Sequence, residues 1–137
     1  MRRYWDTSAL VNALHDPRLE AKALESDQWT RPHALSEAFS TLTGGRLGFK
    51  YTADDATALL KALTQGMYFV DLDNHETLVA LGLARKRGVR GGRVHDWMHA
   101  RAAKKAGAAV LVTDNHSDFA GLEDGFKLIS SAELLSA

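Results

Sequence analysis

The stretch VLVTDNHSDF at residues 110–119 runs three apolar β-formers into Thr113 and then sets two carboxylates, Asp114 and Asp118, within five residues. Asp6 follows the strand-like RRYW, Glu37 lies in HALSEAFSTL, and Asp96 lies in HDWMHARAAKKAG. Four or more acids from four separate segments can thus meet at one place. Carboxylates a few ångströms apart repel strongly in a poorly hydrated site, and such a cluster ionises comfortably only around a cation. The chain has no cysteine, so oxygen ligands dominate and the expected ion is hard, Mg²⁺ or Mn²⁺. Two such ions about 4 Å apart activate water and stabilise the leaving oxygen in phosphodiester hydrolysis.

Each acid also has a plainer use. Asp6 can cap a helix, and Asp114 or Asp118 can serve a turn. Asp96 is harder to assign to the surface. At about 100° per residue, it shares a helix face with Ala100, Ala103 and Gly107, opposite Arg101, Lys104 and Lys105. A carboxylate on a small-residue face that packs against a sheet costs several kcal/mol unless something cationic or hydrogen-bonding meets it. An N-cap role near the helix start is the alternative. Glu37 projects away from the apolar stripe of Leu35, Phe39 and Leu42, and its neighbours Ser36 and Ala38 are small enough for a cleft wall.

The elements that must carry these acids alternate. Short strands are expected at 2–5, 28–30, 67–72 (a buried one), 108–113 and 126–130. Helices are expected after Asp6, after Pro17, after Pro32 as far as Gly44-Gly45, after Thr52, from Asp73 or Asn74 to Lys86, over 95–106, and as a final turn in AELLS. Strands alternating with helices predict a mostly parallel sheet with helices on both faces, where ligands sit at the carboxyl ends of strands. Two prolines and no low-complexity segment predict a single domain over 1–137.

Composition sets further bounds. The 137 residues carry 17 basic and 17 acidic side chains, with 45% apolar and 25% charged content. Zero net charge means that any affinity for nucleic acid must come from how charge is distributed. The missing cysteines fit a reducing cytoplasm. No apolar run approaches the roughly 18 residues of a membrane span. The N-terminus, interrupted by Asp6 and Asn12, reads as the first strand instead of a signal peptide.

Taken in order, YWDTSALV, HALSEAFSTL, HDWMHARAAKKAG and LVTDNHSDF resemble the four motifs of PIN-domain ribonucleases, in particular the VapC-type toxins of toxin–antitoxin pairs. The resemblance runs from Tyr4 to about Phe119. It implies a PIN-like three-layer α/β/α sandwich and a Mg²⁺- or Mn²⁺-dependent endoribonuclease acting on RNA, with a cognate antitoxin and a homodimer as partners. Asp6, Glu37 and Asp96 match the first three family acids. Thr113-Asp114-Asn115-His116-Ser117-Asp118-Phe119 fits the T-x-N-x-x-[DE]-F form, which favours Asp118 as the fourth and leaves Asp114 as a further contributor. Ser8 and Thr113 match hydroxyl positions that support the acids.

Rival readings leave their own marks. HDWMH approaches the zincin H-E-x-x-H but lacks its glutamate. His95 and His99 are then expected at the surface or the cleft edge. A receiver domain needs an acceptor Asp after a middle strand and a Lys after a late one; Asp71 near the end of MYFVDL and Asp73 just after it could serve, but Lys127 lies within the last strand. A non-catalytic PIN-like RNA-binding or scaffold module would show a lost acid, and none is lost. Arg85, Lys86, Arg87, Arg90 and Arg93 before Asp96 read either as a solvated helix end or as a rim that meets phosphate.

Overall fold

Tyr4 and Trp5 are adjacent, fully buried, and packed into different hydrophobic clusters. That alternation is what a strand with both faces covered requires. The structure, a computed structural model, describes residues 1–136. Within them β1 (Arg3–Trp5), β2 (Gln28–Thr30), β3 (Tyr68–Phe69), β4 (Val110–Val112) and β5 (Lys127–Ile129) form one sheet in the order β3-β2-β1-β4-β5. Every pairing is parallel, so the sheet is wholly and not just mostly parallel.

On the Trp5 face lie α1 (Thr7–Ala13), α2 (Pro17–Ala23), α3 (Pro32–Gly44), α4 (Ala53–Thr64) and α8 (Ser131–Ser136). Leu10, Leu19, Ala34, Leu63, Val110, Val112 and Leu134 fill this layer. On the Tyr4 face, α6 (Val94–Ala106) lays Trp97, Ala100, Ala103 and Ala106 against Leu111, and α5 (Asn74–Leu83) packs outside it. A four-residue helix, α7 (His116–Phe119), follows β4. The result is an α/β/α fold with three layers, as the sequence led one to expect. No helix among the described residues is long and apolar enough to cross a membrane.

Local chemistry explains most element limits. The Asp6 carboxylate accepts from Ala9 N at 2.9 Å and starts α1. Thr52 caps α4, and Asp73 with Glu76 forms a full capping box on α5. Gly45 and Gly107 end α3 and α6 at φ of 72° and 70°, a conformation that costs glycine least. Two expectations need correction. The strand expected over 67–72 shrinks to Tyr68–Phe69, both exposed, because β3 is the sheet edge and pairs only with β2. Apolar content alone does not separate an edge strand from a central one. The helix after Asp73 also stops at Leu83 and tightens to 3₁₀ turns over Ala84–Arg87.

Candidate active site

β1 and β4 are neighbours, and both open at the same end of the sheet. The residues that follow them, together with α3 and α6, wall an open cleft of about 700 Å³. Asp6, Glu37, Asp96 and Asp114 all line it, with Thr7, Ser8 and Asn12 from α1. Asp118 does not line the cleft; it is exposed on α7.

Asp6 is 3% exposed. Burial pushes its carboxyl up, against the charge of His99 and hydrogen bonds from the Thr113 side chain, Ala9 N and Ser8. Ser8 Oγ donates to Asp6 Oδ1 at 2.8 Å and stands 3.5 Å from Thr113 Oγ1. Both hydroxyls therefore stand beside the acid that the resemblance said they support.

Glu37 is half-buried on α3. Thr7 Oγ1 donates to its Oε1 at 3.1 Å and His99 Nε2 at 2.9 Å. Burial raises its carboxyl, but the hydrogen bond and charge of His99, with Thr7, outweigh that and hold it below the usual range. His99 is 3% exposed and lines the cleft, so of the two places its sequence context allowed, surface or cleft edge, it takes the cleft. Its Nδ1 lies 2.8 Å from the Tyr4 hydroxyl. Burial keeps the Tyr4 phenol protonated far above its ordinary range. The hydroxyl thus meets Nδ1 from one side of the ring while Nε2 faces Glu37 from the other. Tyr4, His99 and Glu37 come from three distant segments, and sequence reasoning placed neither Tyr4 nor Thr7 here.

Asp96 sits in the first turn of α6. Burial pushes it up to about 6; the charge of Asp118 adds most after burial, then Asp6 and Glu37, while His99 opposes. Asp118 is thus electrically part of the group although it stands outside the cleft. Among the described residues, neither Asp96 oxygen accepts a hydrogen bond. Asp114 is differently placed. Its carboxylate accepts from Asn12 Nδ2, from Ser131 N at 2.9 Å and from Ser131 Oγ at 2.5 Å, and so latches α8 and α1 to the loop after β4.

Two of the loop arginines are engaged elsewhere. Arg87 Nη1 donates to the carbonyls of Gly121 and Glu123 at 3.2 Å, and Arg93 Nη2 to that of Ala120 at 2.5 Å. They strap the Gly-rich loop to the turn after α7. Arg85, Lys86 and Arg90 stay exposed.

Among the described residues, no three His, Asp or Glu side chains stand close enough to enclose an ion as they lie. The donor set still suits a hard cation. Every candidate ligand is a carboxylate oxygen, and Asp96, which accepts no hydrogen bond among the described residues, is pushed up by burial and then by the like charges of Asp118, Asp6 and Glu37.

Residues 3–123 match the family model for the PIN domain. The crystal structure of PAE2754 from Pyrobaculum aerophilum is similar, with a TM-score of 0.71 and 23% identity over 99% of this chain and 95% of that one. So is a crystal structure of VapBC2 from Rickettsia felis bound to a DNA fragment from their promoter, at TM-score 0.68 and 18% identity over 95% and 98%. A stretch of 75 residues, 55% of this chain and 69% of that protein, is 33% identical to large ribosomal subunit protein uL23 of Shewanella loihica (strain ATCC BAA-1088 / PV-4). Such a stretch is too short to hold both Asp6 and Asp96, so that likeness does not reach the whole cleft.

Proposed function

The chain belongs to the PIN domain family, and from that premise we propose that it is a divalent-metal-dependent endoribonuclease, the toxin of a type II toxin–antitoxin pair. The observation that carries the reading is the meeting of Asp6, Glu37 and Asp96, from three separate segments, in one cleft at the carboxyl edge of the sheet. Asp6, Glu37, Asp96 and Asp118 are the residues that would hold Mg²⁺ or Mn²⁺, with Asp114 contributing at the rim while it latches α8. The ion, when bound, supplies a Lewis acid and lowers the pKa of water near the phosphodiester.

The chain's own side chains prepare that chemistry. The start of α1 and Ser8 fix Asp6. His99, held from behind by Tyr4, aims Glu37. Asp96 must lose its proton to take a cation, and it does so above about pH 6. Partners of metal-binding carboxylates typically matter 10–100-fold. His99→Ala is therefore expected to weaken Mn²⁺ affinity, read by calorimetry, by about 10–100-fold, and His99→Gln, which keeps an N–H donor, to recover part of it. Equal Mn²⁺ affinity in all three proteins would dismiss the role of His99.

Two partners follow from the same reading. An antitoxin is expected to cover the cleft. A homodimer has a candidate face in α5, where Leu78, Val79 and Leu81 are exposed between an acidic start (Asp73, Glu76) and a basic end (Arg85, Lys86). Antiparallel packing of two copies would set those charges against each other. A toxin of that kind would act on RNA in the cytoplasm.

The deciding experiment incubates the purified protein with total RNA in MgCl₂, in MnCl₂ and in EDTA, and maps new 5′ ends. Discrete new ends in either metal and none in EDTA are expected. RNA left intact in both metals would favour the rival reading, a non-catalytic PIN-like RNA-binding or scaffold module.

A further inference from the structure

Arg31 directly follows β2 and opens α3. It is 8% exposed, and its Nε is buried with no hydrogen-bond partner. Among the described residues its guanidinium makes no ion pair or hydrogen bond. The other inward-turned arginines behave differently. Arg3 also has a buried Nε without a partner, but its Nη1 pairs with Glu25; Arg2 pairs with Asp27 and Arg101 with Asp124, while Arg87 and Arg93 grip carbonyls. A buried, unmatched cation carries a desolvation cost that an anion at the site would offset.

Its position says which anion. β2 lies beside β1 with Tyr4 opposite Trp29, and the same register carried past the strand ends sets Arg31 beside Asp6. His33, two residues on, lines the acid cleft and stacks on His95 with ring centroids 6.2 Å apart. After burial, the charges acting on the Tyr4 phenol are led by Arg31, then Asp6, Glu37 and Asp71, so the cation and two of the cleft acids flank one buried hydroxyl. An RNA strand that brings one phosphodiester to the acids must lay its next phosphate beside them, where carboxylates alone would repel it.

We propose that Arg31 is the floor of a phosphate subsite beside the acid cleft, taking the backbone phosphodiester adjacent to the one that is cut. This rests on the nuclease reading above. A guanidinium fork suits a phosphate, and a contact away from the reacting bond strengthens ground state and transition state alike.

The test compares wild type with Arg31→Gln and Arg31→Lys. Arg31→Gln should raise KM for a single-stranded RNA oligonucleotide about tenfold at unchanged kcat. In an Asp96→Asn background, its Kd for the same oligonucleotide should rise about as much, and the log–log salt slope should flatten by about 0.7. Arg31→Lys, which keeps the charge, should keep the slope and weaken Kd less. The melting temperature of Arg31→Gln should hold or rise, since an unmatched buried charge has been removed. If the wild type cuts RNA while Arg31→Gln leaves KM, Kd and slope unchanged, the subsite is wrong, and a carboxylate of a partner protein becomes the better occupant. If only the melting temperature falls, Arg31 is structural and the subsite is again wrong. A wild type that neither cuts nor binds RNA would instead overturn the nuclease reading, and the subsite with it.

Discussion

Asp96→Asn is expected to lower RNA cleavage by about a thousandfold or more, and at the same time to raise the melting temperature of the metal-free protein near neutral pH. A thousandfold is about 4 kcal/mol of lost transition-state stabilisation, the scale on which a correctly held metal ion acts. The gain in stability has the same origin as the loss of activity. Burial and the charges of Asp118, Asp6 and Glu37 hold the Asp96 carboxyl at about 6, above the ordinary aspartate range. The folded metal-free protein therefore keeps this proton longer than the unfolded chain does. The associated stability is fully present below about pH 4 and is lost as pH rises through about 6. Asn carries no charge and escapes that loss. Because Asp96 is only half-buried, solvent screening reduces the effect to about 1 kcal/mol, or about 4 °C for a chain of this size. In the wild type, added MnCl₂ should raise the melting temperature more at pH 7.5 than at pH 5, and Asp96→Asn should blunt that difference. Retained cleavage, or a variant that melts earlier at neutral pH, would contradict the account.

Trp97→Ala should cost about 3–5 kcal/mol of stability, the range for removing a fully buried aromatic side chain. Trp97 is 0% exposed, and its indole N–H donates to Ala80 O at 2.8 Å, which joins α6 to α5. The guanidinium carbons of Arg101 and Arg87 lie 5.3 Å and 5.7 Å from the ring, so the truncation also removes two cation–π contacts. Set against the roughly 5–15 kcal/mol of a typical domain, the loss is a large share. Urea denaturation should show a lower midpoint at an unchanged slope. Trp97→Phe keeps most of the volume and should lose about 1–2 kcal/mol, mainly the hydrogen bond. A midpoint for Trp97→Ala close to that of the wild type would mean that α6 is not anchored through this ring.

Much of the frame was legible because its signals are local. Asp6, Thr52 and Asp73 cap helices where their spacing said they would, and Gly45 and Gly107 end helices. The helical phase of Asp96 with Ala100 and Ala103 placed that acid between α6 and the sheet, and the structure has both alanines buried. What escaped depends on partners far along the chain. Nothing near His99 announces that Tyr4 and Glu37 will close around it, and nothing near Arg31 announces that no partner will. Arg87 and Arg93 looked like a solvated end or a rim because their carbonyl partners lie about 30 residues away. Tyr68 and Phe69 are apolar enough for a core strand, and only the strand order sets them on the edge.

The middle of the sheet joins two segments far apart in sequence: Arg3 registers with Val110, and Trp5 with Val112. During synthesis β1 must wait for β4 before it gains its central neighbour, because closing so long a loop precedes any reward from pairing. The acids that follow β1 and β4 cannot stand together before that pairing is made. The cleft between them therefore forms late and as a unit, once β4 has been made and docked beside β1.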